Sequence, residues 1–395
     1  MSHWIGIDVG KTFHWASVLD DEGREVLSRK VLATEEDIEA FRSQVGALGA
    51  ERAFFCVDMM GGPATLLEAV LPGHGERVFY LSGTALNRAR DAYRGGEHKS
   101  DPRDARVIAN QLRMRWRSLP EINPREESSA EMRALLAHRR DLVQDQVRRI
   151  TRMRGLLLET FPGLEAILDL TKKDGPLVAV AKVATPGAAR RLGEPRLTRW
   201  LKARGIRKAE ELARRVVEAA KAQRHELPAA ELKAELVAEI ASEVLRTKGR
   251  LAALHERLEE LVSANPKAEI VRSMPGMGTI FAAEFVAEVG DIGRFASADA
   301  LAAAAGMVPV LRASGSTSHL RRSRRGNGVL KRALYRSAFS AIAHHGPSSV
   351  FYRRKRAEGK THHQALIALA RRRVNVLWAM LRDEQRYREQ PPKAA

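Results

Sequence analysis

Trp4-Ile5-Gly6-Ile7-Asp8-Val9, then Trp15-Ala16-Ser17-Val18-Leu19, then Glu25-Val26-Leu27-Ser28-Arg29-Lys30-Val31, is the stretch whose reading decides the fold. The first run is apolar around a single carboxylate and reads as a buried strand. The acidic turn Asp20-Asp21-Glu22-Gly23 joins the second run to the third, so the three form an antiparallel meander. Helix Glu35–Leu48, strand Ala53–Asp58, helix Ala64–Leu71, strand Arg77–Leu81 and helix Pro102–Arg117 follow. A meander leading into βαβ units predicts a mixed α/β sheet with helices on its faces.

Four acids punctuate this segment. Asp8 lies inside the first strand and Asp58 ends another. Asp101 and Asp104 sit three apart where Ser100-Asp101-Pro102 opens a helix, so both project from one side of its first turn. A carboxylate in a buried strand is costly unless it is paired, hydrogen-bonded or bound to a cation. Taken singly, each acid has an ordinary reading: Asp58 as a strand-end cap, Asp101 as an N-cap, Asp104 as a partner of the helix dipole. A cap does not explain a mid-strand Asp8. Together the four point to a site for two Mg²⁺ ions ~4 Å apart, fed by carboxylates from different elements.

The chain has 395 residues, more than one core usually supports, so two or three domains are expected. Its 67 Lys and Arg against 48 Asp and Glu give a net charge of +19, which predicts attraction to a polyanion. Nucleic acid is the leading partner; a ribosomal or membrane-surface protein shows the same balance. The only cysteine, Cys56, excludes an intramolecular disulfide and any multi-cysteine zinc site. No signal-peptide core or membrane-length apolar run is present, so a cytoplasmic, nucleoid-associated protein is expected.

Three domains are expected: 1–120, the acid-bearing mixed sheet; 121–265, a helical coiled-coil region; and 266–395, a mainly helical C-terminal part. In the middle region Met132, Leu135, Leu136, Leu142, Val143, Val147, Ile150, Met153 and Leu157 recur at threes and fours. Leu232, Leu236, Ile240, Val244, Leu251, Leu254, Leu258 and Leu261 recur at coiled-coil spacing. Pro162-Gly163 reads as the stop of the first long helix, and a second begins near Pro228. The pair predicts an antiparallel hairpin, a dimerising coiled coil, or both. The basic stretch 171–227 between them has no readable pattern.

In the last region Pro275-Gly276-Met277-Gly278 precedes a small-residue helix. It is either a simple turn or a helix–hairpin–helix in which Gly276 and Gly278 bring backbone N–H groups to a DNA phosphate. The polar loop Arg312–Ser318 is either a linker or the seat of a serine nucleophile, Ser314. Arginines, among them Arg312, Arg321, Arg322, Arg324 and Arg325, then neutralise the phosphate, with Lys331 and Arg332 on the helix beyond. His344-His345 and His362-His363 lack companion ligands and read as surface or nucleic-acid-facing residues. Asp8-Val9-Gly10-Lys11-Thr12 also resembles the phosphate loop of actin-like and sugar-kinase ATPases, but the further glycine motifs such a site needs are missing.

With those residues in place, the whole chain resembles the bacterial insertion-sequence transposases of the DEDD class, the IS110 family, described as bridge-RNA-guided recombinases. Ile7-Asp8-Val9-Gly10-Lys11 with His14 and Val18-Leu19-Asp20 looks like the first motif of that family. Val57-Asp58 with Gly61-Gly62 looks like the second, and Lys99-Ser100-Asp101 with Arg103-Asp104-Ala105-Arg106 like the third. Pro275-Gly276-Met277-Gly278, Phe295, Leu301-Ala302, Gly306-Met307-Val308-Pro309, Ser314-Gly315, Arg325-Gly326-Asn327 and Leu330-Lys331-Arg332-Ala333-Leu334 continue it in order.

The resemblance implies an N-terminal RNase H-like (RuvC-like) domain, a coiled-coil insertion and a C-terminal transposase domain. It makes Asp8, Asp58, Asp101 and Asp104 the magnesium ligands and Ser314 the nucleophile, the serine of one subunit working beside the acids of another. The second acid is usually glutamate in this family; Asp58 is one methylene shorter, so the ion must sit closer or a water must bridge. A homo-oligomer, dimer or tetramer, is implied. So is a guide RNA that pairs with the DNA of the element ends and of the target. The rival readings are a Holliday-junction-type nuclease that needs no serine and a non-catalytic nucleic-acid-binding scaffold.

Overall fold

Strand β1 (Ser2–Asp8) pairs antiparallel with β2 (Phe13–Leu19), and β2 with β3 (Glu25–Leu32), which is the expected meander. Helix α1 (Glu35–Ala47) starts where the Thr34 hydroxyl accepts from the Asp37 N–H at 3.4 Å, and leads to β4 (Arg52–Val57). β4 runs parallel to β1 on the side away from β2. Helix α2 (Thr65–Gly73) then brings β5 (Arg77–Tyr80) parallel to β4. Helices α3 (Gly83–Asp91) and α4 (Asp101–Arg115) precede a short β6 (Glu121–Ile122), antiparallel to β5. The sheet order is β3-β2-β1-β4-β5-β6.

The computed structural model describes residues 1–92, 100–122, 127–314, 317–321, 323 and 326–389, which divide into two compact units, Met1–Arg125 and Glu126–Ala395.

Period-two alternation splits the first unit's core. Ile5, Ile7, Phe55 and Val57 pack with Ile38, Phe41, Leu67 and Leu71 of α1 and α2. Trp4, Phe54 and Cys56 pack on the other face with Ile108, Ala109 and Leu112 of α4. Helix α4 lies hard on β1: a Cβ at Gly6 would stand 2.1 Å from the Ala105 carbonyl oxygen and 2.3 Å from the Ala109 nitrogen. Trp116, just past α4, packs against Trp4 and Phe54 with ring centroids 6.4 and 5.3 Å apart. The C-terminal end of α4 therefore covers the beginning of β1 and β4. Its N-terminal end points to where both strands finish.

In the second unit, α5 (Glu127–Leu158) and α10 (Ala230–Ala264) run antiparallel. Ion pairs Arg257–Glu131 (2.8 Å), Arg149–Glu243 (2.9 Å) and Lys233–Glu159 (2.8 Å) fix that sense. Between them lie α6 (Pro162–Ile167), α7 (Asp174–Lys182), α8 (Pro186–Lys202, kinked at Gly193) and α9 (Ala209–Ala222). They form a core with the adjoining ends of α5 and α10 around Leu157, Phe161, Leu177, Leu201, Val216, Ile240 and Val244. Pro162 does not stop α5, which ends at Leu158; it opens α6, where a missing N–H costs nothing.

The opposite ends of α5 and α10 join another core. It is built with α11 (Pro266–Arg272), α12 (Thr279–Val289), α13 (Ala298–Ala304), α14 (Gly328–His344), α15 (Gly346–Ala357) and α16 (His362–Arg382). Strands β7 (Val310–Ser314) and β8 (Thr317–Arg321) form an antiparallel pair within this part. The expected loop Arg312–Ser318 is thus largely strand, and the expected buried, mid-strand Asp8 is instead the half-buried last residue of β1.

Candidate active site and nucleic-acid surface

The register of the two central parallel strands places the first two acids. Ile7 stands opposite Val57, so Asp8 and Asp58 leave β1 and β4 side by side. The Val9 N–H donates to Asp58 Oδ1 at 3.1 Å, tying the two strand ends together. Alternation puts Asp8 on the face of Trp4 and Gly6, and Asp58 on that of Phe54 and Cys56, which is the face α4 covers. Burial pushes the Cys56 thiol up strongly, and the nearby Asp58 charge adds to it. The Tyr80 hydroxyl is raised by burial and by the same charge.

Asp101 is the exposed first residue of α4, and Asp104, one turn on, is 2% exposed. Because α4 runs against β1, both lie toward the end of the sheet that carries Asp8 and Asp58. Asp104 has a partner that sequence reading missed. Arg90 Nη1 donates to both of its carboxylate oxygens, at 2.9 and 2.7 Å, while Nη2 donates to Asn87 Oδ1 at 2.7 Å. Both partners come from α3, whose only early signal is Ser82, the cap that accepts from the Ala85 N–H at 3.3 Å.

The donor set is all carboxylate, which is what Mg²⁺ takes. Among the described residues no three His, Cys, Asp or Glu side chains stand close enough together to hold a metal ion, and Arg90 occupies Asp104. Beside the α4 acids a cleft of about 630 Å³ is lined by Ser100, Arg103, Arg106, Asn110 and Arg113 together with the turn at Glu22-Gly23. Arg103 and Arg106 belong to the third motif, whereas Arg113 carried no signal in the sequence. His14 of the first motif is fully buried on the α1–α2 face, neither ring nitrogen has a hydrogen-bond partner among the described residues, and burial holds its pKa down.

Ser314 is the exposed last residue of β7, opposite Thr317 of β8, so a ladder holds its backbone where a linker would leave it loose. The motifs that follow one another in sequence meet at the base of this hairpin. Lys331 Nζ donates to the Gly306 and Ser323 carbonyls at 2.8 and 3.2 Å. The Asn327 N–H donates to the Ala304 carbonyl at 2.7 Å, and its side chain caps α14 by accepting from Val329 and Leu330. Gly326, at φ +102°, comes so close to Gly306 that a Cβ would meet its nitrogen at 2.5 Å. Arg332 reaches Glu284 at 3.7 Å. Lys331 and Arg332 thus have internal partners, while Arg321 is exposed at the end of β8. The Arg312 side chain and residues Arg322, Arg324 and Arg325 lie outside the described residues.

Pro275–Gly278 is the turn between α11 and α12. Gly276, at φ +82°, backs onto α14, where a Cβ would stand 2.6 Å from the Ser337 carbonyl oxygen. Gly278 is exposed at the start of α12. His345 caps α15, and His362 and His363 hydrogen-bond Tyr352 and Tyr335 at 2.8 and 2.6 Å.

Comparison with known proteins first fixes the class. Residues 5–162 match a family described as Transposase, the DEDD transposase of IS110, so the acid-bearing unit is part of an enzyme that acts on DNA. Residues 268–353 match the family described as Transposase IS116/IS110/IS902 family. The chain is 42% identical to the insertion element IS116 uncharacterized 44.8 kDa protein of Streptomyces clavuligerus, over 98% of its own length and 97% of that protein. It is 39% identical to the insertion element IS900 uncharacterized 42 kDa protein of Mycobacterium paratuberculosis, over 99% and 98% of the two chains. With the insertion element IS110 uncharacterized 43.6 kDa protein of Streptomyces coelicolor the identity is 33%, over 98% and 96%. The chain belongs to the IS116/IS110/IS902 family of transposases.

Proposed function

We propose that this transposase moves its own insertion element by Mg²⁺-assisted transesterification. The first unit is RNase H-like, Ser314 is the nucleophile, and a structured RNA chooses the DNA sites. The observation that carries the reading is the register of β1 and β4. It sets Asp8 beside Asp58 at the end of the sheet toward which α4 directs Asp101 and Asp104. A meander continued by parallel strands in the order β3-β2-β1-β4-β5-β6 supports the RNase H-like assignment.

Asp8, Asp58, Asp101 and Asp104 would hold the ions, which when bound neutralise the phosphate and the attacking and leaving oxygens. Arg90 competes for Asp104, so its guanidinium must yield that carboxylate. The Ser314 Oγ adds to phosphorus and displaces a deoxyribose oxygen. The serine proton passes to a base, and the leaving oxygen takes one up. Attack of a free DNA hydroxyl on the phosphoserine ester then restores the serine and joins the strands. Arg321 at the hairpin adds positive charge for the crowded phosphate.

Base pairing with the RNA supplies sequence choice, while the basic protein holds backbone and shape. Three functional regions follow, 1–120, 121–265 and 266–395. The antiparallel α5–α10 pair assembles the homo-oligomer as a coiled coil.

Incubation with the element's end DNA, its RNA and Mg²⁺ tests the reading. Wild type leaves a covalent protein–DNA adduct; Ser314→Ala leaves none, and Asp8→Asn loses strand exchange by at least 10²-fold, the lower range for a group acting on the reacting atoms. A Ser314→Ala protein that still cuts marks a hydrolytic nuclease. Full exchange by Asp8→Asn removes the metal site.

A further inference from the structure

Arg373 lies in α16 and is 3% exposed, yet among the described residues no carboxylate stands within ion-pair distance of it. Its Nη2 donates to the Pro275 carbonyl at 2.6 Å and to Ser337 Oγ at 2.7 Å, and its Nε is buried with no hydrogen-bond partner among the described residues. A buried cation is expensive unless an anion compensates it. Burial lowers its pKa to about 10, so the group is still charged at neutral pH.

Arg373 borders a cleft of about 500 Å³ between α15, α16 and the segment that follows α16. Arg372 and Arg386 line the same cleft, with His345, Ser348 and Tyr387. Three acids stand at the same cleft, none on Arg373: Asp383, which lines it, pairs with Arg382 at 2.7 Å, Glu269 with the rim residue Arg386 at 3.2 Å, and Glu389 with His345 at 3.9 Å, so a phosphate must share Arg386 with Glu269. Planar guanidinium groups in a concave setting suit a tetrahedral oxyanion with several acceptor oxygens. The cleft also backs the α11–α12 turn, since Met274 lines it and Arg373 fastens Pro275.

We propose that this cleft binds one phosphate group of a nucleic-acid backbone, with Arg373 at its floor and Arg372 and Arg386 at its rim. Phosphate binding stands on the cleft alone; the nucleic acid as its carrier rests on the transposase reading. The bound group supplies a counter-charge to Arg373, the one buried arginine among the described residues, and it couples the loaded cleft to the α11–α12 turn through the Pro275 carbonyl.

Thermal unfolding of the full chain in inorganic phosphate, against sodium chloride at equal ionic strength and without Mg²⁺, tests the site. Wild type gains Tm saturably in phosphate beyond its chloride curve, and Arg373→Met loses that gain. Should Arg373→Met fail to fold, Arg372→Glu reverses charge at an exposed rim position, keeps the wild-type Tm in chloride and also loses the gain. No rise in wild type, or an undiminished rise in Arg372→Glu, overturns the site. A labelled random-sequence DNA duplex then tests the carrier. Phosphate competes with it, and Arg372→Glu binds it several-fold more weakly with a salt slope reduced by about one. Phosphate binding without that competition, and with unchanged duplex affinity, overturns the nucleic-acid half. Both readouts are binding without Mg²⁺, so they fail separately from the transposition chemistry.

Discussion

Arg90 and Asp104 form a pair almost removed from water, with side-chain exposures of 13% and 2%. Deleting one member of a buried pair strands the other charge and costs about 3–5 kcal/mol. Arg90→Gln is therefore expected to lose stability of that order in chemical denaturation. Under the proposed function it also frees Asp104 for the ion, so Mg²⁺ raises the variant's Tm more than the wild type's. An Arg90→Gln protein indifferent to Mg²⁺ would take Asp104 out of the metal set. The acids were legible in the sequence because a lone carboxylate in an apolar run, or two at a helix start, breaks the local pattern. Arg90 was not, because α3 has nine residues and buries one apolar side chain, Leu86. Nothing in so short a stretch separates a helix from a loop, and an arginine in a chain this basic carries no signal by itself.

At the scale of elements, the close seating of α4 on β1 decides where Asp101 and Asp104 go. Gly6 permits it, and the atoms a Cβ would meet there are backbone, at 2.1 and 2.3 Å, with no side chain to yield. Overpacking a core usually costs about 1–3 kcal/mol, and Gly6→Ala belongs at the upper end because α4 itself must lift. The expected result is a lower denaturation midpoint at unchanged slope, together with lost strand exchange as the α4 acids move off β1. Wild-type stability in Gly6→Ala would disprove this packing account. The meander and the βαβ units were readable from alternation and turn acids. The β7–β8 hairpin was not: Ser, Gly and Arg dominate Arg312–Ser318, and no apolar alternation marks a strand. Its support comes from residues distant in sequence, Gly306, Asn327 and Lys331, which ordered motifs could name but not assemble.

Across the whole molecule, the two long helices were visible from their periodicity, whereas the α7–α9 region between them was not. Helix α7 has nine residues and α8 is interrupted at Gly193, while the stripe that α9 does carry, Ala209, Leu212, Ala213, Val216, Val217 and Ala220, is half alanine and stands out weakly among its charges. Charge is the property most directly read from sequence. The excess of 67 basic over 48 acidic residues sets a net +19, and such charge acts on nucleic acid through phosphate neutralisation and counterion release. Log affinity for duplex DNA should then fall linearly with log salt. If six to ten phosphates are held, affinity drops by about 10³–10⁵ between 50 and 200 mM salt. Binding and chemistry should separate at the acids. Asp8→Asn and Asp101→Asn remove negative charge from exposed or half-buried positions, so they should bind DNA at least as tightly as wild type, with the same slope, while strand exchange is lost. Fluorescence anisotropy across a salt series measures the slope, and adduct formation in parallel samples measures the chemistry. Weaker DNA binding in the asparagine variants would mean that the acids act as structural caps, the role a non-catalytic scaffold would give them. Unchanged binding with lost exchange assigns the carboxylates to the reaction and leaves recognition to the basic surface.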